Sequence, residues 1–365
     1  MNKSESKKTG VVRVGLIGYG YAGKTFHAPS ILAADNMPIT VVGSSKGEEL
    51  RDTFPDSKIC SAEEVPAHND VDLVVIATPN DSHYPLAKAA LLAGKDVVID
   101  KPFTVTLEEA RALRDLAKEQ GRLLSAFHNR RWESEIIAAK AIRESGELGR
   151  ITHFECHMDR YRPGVRRRWR EDPGPGAGLW FDLGPHLIDL SLYLFGLPKA
   201  VSGSFAIQRD GAQTDDWAHI QLIYEHMRIV LNATLLCAGG VPRAVMHGTK
   251  ASWVKYGQDV QEEQLKSGMS PRDPAFGIDP SPCFLYDGAT GERKEIPSPR
   301  GNQKGYYEGV RDAILHGTPL PITTRDAVTT MAILEASFQS GREGRVLPIP
   351  LTDAEFAEWD HAISQ

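Results

Sequence analysis

VVRVGLIGYGYAG, residues 11–23, is a short apolar run ending in glycines spaced Gly18-x-Gly20-x-x-Gly23. The run has the length and β-branched content of a buried strand. The glycines stand where that strand gives way to a helix. Gly18 permits the tight turn, Gly20 lets the backbone approach a pyrophosphate, and Gly23 lets helix and strand pack closely. The helix opening there turns free N–H groups and a partial positive charge toward phosphate. Such a motif is weak alone and gains its meaning from the strand before it and the helix after it. Gly18, Gly20, Tyr21, Ala22 and Gly23 are therefore expected to hold a dinucleotide.

The same rhythm continues outward. ITVVGSS (39–45), VDLVVIATP (71–79) and KDVVIDKP (95–102) are apolar on both faces, as buried parallel strands require. Helical segments lie between them, at 84–94 and at 106–121. The second opens with a Thr106-x-x-Glu109 capping box, and Gly94 and Gly121 stop the two. LLSAFHNRR (123–131) is expected as a closing strand. This alternation predicts an α/β fold with a doubly wound parallel sheet, a Rossmann domain. After a helix near 133–147 the pattern becomes long alternating strands at 151–161, 200–208, 216–224, 227–236 and 252–257, which predict an antiparallel sheet with one buried face. The other face is not very polar and can meet a second subunit. Helices return at 306–317 and 326–341. The stretches 160–178 and 266–304, rich in Pro, Gly and charge, are expected as loops. The expected organisation is a tail (1–10), a dinucleotide-binding domain (11–127), a second domain (128–350) for substrate and oligomerisation, and a helical C-terminal tail (351–365).

Bulk properties bound the function. A chain of 365 residues is too long for one ordinary core, so two domains are the default. With 41% hydrophobic and 25% charged residues it is neither disordered nor fibrous, and its net charge of −6 argues against a nucleic-acid partner. No apolar run is long enough for a membrane helix, and the polar N-terminus lacks a signal segment. The four cysteines (60, 156, 237 and 283) form no C-x-x-C pair, so reduced thiols in the cytoplasm are expected and no structural zinc.

The end of the second strand indicates which dinucleotide. NAD binders usually carry a carboxylate there for the ribose hydroxyls. This chain has Ser44, Ser45 and Lys46, whose hydroxyls and ammonium suit a 2′-phosphate, so NADP is preferred over NAD. The alternative is a solvated Lys46, with Glu48 or Glu49 reaching the ribose.

Two further places carry chemistry. Lys101 ends the fourth apolar strand, where ligands of such sheets bind, and Pro102 fixes the turn after it. Thr78, Pro79, Asn80 and His83 end the preceding strand on the same rim and can line the cofactor's ribose. In WFDLGPHLIDL (180–190), Asp182, His186 and Asp189 lie four and three apart, on one face of a helix beside the apolar stripe Leu183, Leu187, Leu190 and Leu194.

GYGYAG (18–23), ATPNDSH (77–83), AGKDVVIDKP (93–102) and WFDLGPHLIDLSLYLFG (180–196) together resemble the Gfo/Idh/MocA oxidoreductases over nearly the whole chain. The resemblance implies a Rossmann domain followed by an α+β domain with an open, mostly antiparallel sheet. It also implies a lysine, an aspartate and a histidine around the substrate carbinol and the nicotinamide. Lys101 matches the lysine of the family's E-K-P motif, while Asp182 and His186 match its D-x-G-x-x-H motif. Asp189, a turn deeper, is then structural. Asp100 departs from the family's glutamate, which bears on how Lys101 is placed.

The chemistry suits these groups. Oxidising an alcohol removes a hydride from carbon and a proton from oxygen, and a histidine near neutral pKa or a desolvated lysine can take the proton. Lys101 and His186 are both candidates for that base. His153 and His157 share a strand face, but no third ligand has a recognisable spacing, so no metal is expected. RYRPGVRRRWRE (160–171) reads as a loop near the site. The resemblance assigns Trp169 and Arg170 to the cofactor, and Asn129, Tyr161 and Arg162 are candidates for a hydroxylated substrate. HNRRW (128–132), DRYRP (159–163) and RRWRE (167–171) look most like NADP-dependent scyllo-inositol dehydrogenases, which implies a cyclic polyol or sugar substrate. The alternatives are another sugar or diol dehydrogenase and a non-catalytic dinucleotide sensor. A homodimer or homotetramer is expected.

Overall fold

The computed structural model describes residues 10–166 and 168–363, so the expected N-terminal tail lies, except for Gly10, outside the described residues. The chain forms two compact units. Among the described residues, the first comprises 10–132, 261–277 and 302–328, and the second 133–260, 278–301 and 329–363.

In the first unit, β1 (Val14–Ile17) leads through a helical turn of π type (Gly23–His27) into α1 (Ala28–Ala33). There follow β2 (Ile39–Gly43), β3 (Lys58–Cys60), β4 (Leu73–Ile76), α2 (His83–Leu92), β5 (Asp96–Ile99), α3 (Leu107–Glu119) and β6 (Leu124–Ala126). The six strands pair in parallel in the order β3-β2-β1-β4-β5-β6. The order reverses at β1, and the crevice outside the carboxyl ends of such strands is where ligands bind. All residues of β1, β4 and β5 are buried, which is why their sequences are continuously apolar rather than alternating. The expected capping box starts α3: Thr106 Oγ1 accepts the Glu109 N–H at 3.2 Å, and Glu109 Oε2 accepts the Thr106 N–H at 3.1 Å.

The chain continues through α4 (Ser134–Ser145), β7 (Ile151–Asp159), α5 (Leu179–Phe195), β8 (Ala200–Ala206), β9 (Trp217–Ile223), β10 (Arg228–Thr234), β11 (Ala244–Gly248) and β12 (Ala251–Lys255). After α6 (Gln261–Lys266) come β13 (Cys283–Asp287), β14 (Arg293–Ile296), α7 (Gly305–His316), α8 (Thr324–Glu343), β15 (Leu347–Pro348) and α9 (Asp353–Ile363). The second sheet has nine strands in the order β14-β13-β12-β11-β7-β10-β9-β8-β15. Only the central β7–β10 pair is parallel, so the sheet is mixed and mostly antiparallel. Ala218, Ile220 and Leu222 of β9 are buried against the helical layer, while the intervening Trp217, His219 and Gln221 face outward. Leu183, Leu187, Leu190 and Leu194 of α5 are buried with them, as the helical spacing predicts.

One expectation needs correction. The stretch 266–304 is not all loop, because it contains β13 and β14. Three of the four residues of β14 are charged, and it lies at the sheet edge, where such residues block unwanted pairing and mask the strand signal. By compact packing, the span from 128 to 350 is shared between the two units. Residues 261–277 and 302–328 pack in the first unit, where the Tyr306 hydroxyl donates to Ser125 Oγ at 2.9 Å and Arg131 meets Asp326 at 3.1 Å. Among the described residues no helix is long and apolar enough to cross a membrane.

Candidate active-site elements

The glycine turn has the geometry its spacing promises. Gly18 has φ +93°, and a Cβ there would meet the Ala77 carbonyl oxygen at 2.5 Å. A Cβ at Gly23 would lie 2.1 Å from the Gly18 oxygen, so this glycine permits the close packing of helix on strand. Gly20 differs: a Cβ there meets nothing within 4 Å. Among the described residues nothing demands a glycine at 20, and the open space is what a pyrophosphate approaching the backbone would use. Tyr21 is exposed, and its hydroxyl donates to Glu262 Oε1 at 3.3 Å. Glu262 also binds Arg130 at 3.1 Å and Lys266 at 2.9 Å. At the end of β2, Ser45 and Lys46 are exposed and Ser44 is half-buried, so all three are accessible. The fit to a dinucleotide is good along this edge.

The next rim holds Lys101. Asp100, at the end of β5, is buried, and its Oδ1 accepts the Lys101 N–H at 2.7 Å. Burial opposes the charge on Asp100. The neighbouring His27 imidazole, aided by Lys101 and His83, outweighs it and holds the carboxyl at about 2. Lys101 itself is half-buried. Thr78 and Pro79 stay accessible, whereas Asn80 is buried. His83 is fully buried, with Nδ1 2.8 Å from the Pro102 oxygen and Nε2 3.0 Å from the Thr78 oxygen. Burial pushes its pKa down, and its ring braces the two strand ends. Asn129 is buried as well, in the turn Asn129–Trp132.

In the second unit, α5 brings Asp182 and His186 onto one helix face. Asp182 lies in the first turn, partly exposed, with its Oδ1 3.5 Å from Arg170 Nε. The Arg170 guanidinium stacks on Trp169 at 4.4 Å, which joins the two residues assigned to the cofactor into one unit. His186 is 5% exposed and Asp189 1%, so the three ionisable groups descend from surface to core along the helix. Gly184 leaves room for the Trp180 ring, which donates through Nε1 to Ser337 Oγ at 2.9 Å. Pro185 removes the N–H that would bond the Phe181 carbonyl.

The helix start is anchored by a residue the sequence did not advertise. The Asp215 carboxylate accepts the Trp180 N–H at 2.7 Å, and its carbonyl accepts the Leu179 N–H at 2.9 Å. Burial, with Asp216 nearby, lifts the Asp215 pKa to about 6. Asp215, Asp182 and Arg170 line one small, partly open pocket. Behind it Arg209 bridges Glu171 at 3.0 Å and Asp216 at 2.9 Å, which holds the basic loop down. Tyr161 is exposed, beside a bridge to Leu236, and Arg162 is half-buried.

Residues 12–128 match the family model described as oxidoreductase family, NAD-binding Rossmann fold, and residues 140–351 match that family's C-terminal alpha/beta domain. The chain belongs to the Gfo/Idh/MocA oxidoreductases. Among its relatives, the uncharacterized oxidoreductase YdgJ of Escherichia coli is 45% identical over 92% of this chain and 98% of its own. The scyllo-inositol 2-dehydrogenase (NADP(+)) IolW of Bacillus subtilis is 36% identical over 93% of this chain and 97% of its own. The crystal structure of an oxidoreductase from Klebsiella pneumoniae superimposes with a TM-score of 0.92 at 45% identity, covering 96% of this chain and 99% of that one. The chain is thus an oxidoreductase with the family's dinucleotide-binding Rossmann domain.

The histidines weighed against a metal form a ladder on β7. His153 Nε2 lies 2.7 Å from Glu155, and His157 lies 3.2 Å from Glu155 and 3.0 Å from Asp159. Burial lowers the His157 pKa, but the two carboxylates outweigh it and raise it overall. Among the described residues no group of three or more His, Cys, Asp or Glu side chains is arranged to hold a metal.

Proposed function

We propose that this protein is an NADP-dependent dehydrogenase that interconverts a cyclic polyol or sugar alcohol and its ketone, with scyllo-inositol as the leading substrate. The observation that carries this reading is the helix that sets Asp182 and His186 on one face and places Asp182 beside Arg170. These groups, with Lys101 proposed to join them, suit hydrogen bonding and proton transfer to hydroxyls. The name and identity of the Bacillus relative support the same substrate class and cofactor.

When bound, NADP supplies the hydride acceptor. The protein's own residues do the rest. Gly18, Gly20 and Gly23 shape the turn for the pyrophosphate, while Ser44, Ser45 and Lys46 take the 2′-phosphate. Trp169 and Arg170 form a stacked pair for the cofactor, and Thr78, Pro79 and Asn80 form the rim near its ribose. Lys101 and His186 handle the carbinol proton, and Asp182 orients the imidazole or accepts from a neighbouring hydroxyl. Tyr161, Arg162 and Asn129 are assigned to the remaining hydroxyls. The protein acts as a homo-oligomer, which light scattering tests.

The deciding experiment is the initial rate of NADPH formation from scyllo-inositol and NADP beside the same assay with NAD. A clear rate with NADP and little with NAD is expected. A faster rate with NAD overturns the assignment of Ser44–Lys46. No rate with either, while NADP still raises the melting temperature, points to another sugar or diol, or to a sensor.

A further inference from the structure

The glycine turn and Lys101 are joined by a buried chain of groups that the proposed chemistry does not use. His27 closes the turn that begins at Gly23 and is fully buried. Its Nδ1 lies 2.6 Å from the Tyr307 hydroxyl. Its Nε2 faces Asp100 Oδ1 at 3.7 Å, longer than a hydrogen bond but well within ion-pair range. The same Asp100 oxygen accepts the Lys101 N–H. Phe127 packs on the imidazole, with ring centres 4.1 Å apart, and Tyr307 is itself fully buried.

We propose that His27 and Tyr307 are positioning residues for Lys101, acting through Asp100. The inference rests on the reading of Lys101 as a group that handles the substrate proton. A tyrosine that donates its O–H to Nδ1 leaves the imidazole proton on Nε2, the atom facing Asp100. An aspartate with its charge kept in a dry place then holds the backbone of Lys101 and supplies a counter-charge to its ammonium. The groups that face Asp100 are His27 from the turn, His83 from α2, Tyr307 from α7 and Lys101 beside it. The shorter Asp in place of the family's Glu fits this arrangement, because the carboxylate serves its neighbour's N–H while turned toward a histidine.

The test needs a readout that does not depend on turnover. The rate at which Lys101 is labelled by an amine-selective reagent at fixed pH, followed by peptide mass spectrometry, reports how its side chain is held. His27→Phe keeps a ring but removes both nitrogens, so Asp100 loses the imidazole that fixes its orientation beside Lys101. The labelling rate is expected to rise by about threefold or more, and kcat to fall by about tenfold with KM for the dinucleotide unchanged. His27→Gln, whose amide can donate to Asp100, recovers part of the change, and Tyr307→Phe gives a smaller change in the same direction. Wild-type labelling rates and kcat in folded His27→Phe overturn the proposal. If that variant does not fold, the same result in His27→Gln and Tyr307→Phe together overturns it. Lys101→Met separates this from the underlying reading: normal turnover in Lys101→Met removes Lys101 from the chemistry, whatever the labelling shows.

Discussion

Asp100 and Asp215 are the same side chain put to opposite use. Asp100 is the chain neighbour of Lys101, Asp215 binds the start of the helix that carries Asp182, and burial opposes ionisation in both. Asp100 has an imidazole, an ammonium and a second imidazole around it, and stays ionised down to about 2. Asp215 has two backbone N–H groups and another aspartate, and its pKa rises to about 6. Burial alone therefore does not set a carboxylate's state; the sign of its neighbours does. The first unit keeps a permanent charge beside Lys101, whereas the second keeps one that is lost in mild acid at the start of the helix bearing Asp182.

The largest effect should come from removing the group that Asp100 serves. Lys101→Met is expected to lower kcat by about 10²–10⁴-fold and leave dinucleotide binding largely intact, measured by steady-state rates beside a fluorescence titration. Loss of binding alone would remove the contrast between the two regions. Next, Asp100→Asn should destabilise the protein by about 2 kcal/mol at pH 7 in urea unfolding. Because the folded pKa is depressed, that stability is present above about pH 4 and lost as pH falls toward 2, so the gap from wild type should close there.

Asp215→Asn should behave in the opposite sense. An amide can still accept the Trp180 N–H, and the raised folded pKa means the aspartate's contribution is present below about pH 4 and lost as pH rises through about 6. The variant should therefore gain melting temperature relative to wild type above pH 6 and lose that advantage near pH 4. Equal pH profiles for the two variants would break the comparison. The smallest effect belongs to an exposed charge. Lys46→Ala should raise KM for NADP by about two- to fivefold and leave KM for NAD unchanged.

What could be read from the sequence was local. The glycine spacing, the capping box and the i, i+4 pair Asp182–His186 each fit within a few residues, and each takes the expected form. What could not be read depends on distant partners. Nothing near His27 announces Tyr307, which lies 280 positions away. Nothing in the loop before β9 marks Asp215 as the anchor of α5. Nothing beside His83 announces that its ring meets the Pro102 carbonyl, 19 positions on. β14 escaped notice because a charged edge strand and a polar loop have the same composition.

The return of residues 302–328 to the first unit has a consequence for how the molecule is made. Ser125, His27 and Phe127 emerge from the ribosome early, but the tyrosines that cover them, Tyr306 and Tyr307, come near the end of the chain. The first sheet can be wound long before its last layer exists. Until then a half-finished core, with a buried-type histidine and aspartate facing water, has to wait for the C-terminal third. A fragment ending at Trp132 would be caught permanently in that state. The natural boundary of the dinucleotide-binding unit is therefore not a point in the sequence but a moment in synthesis.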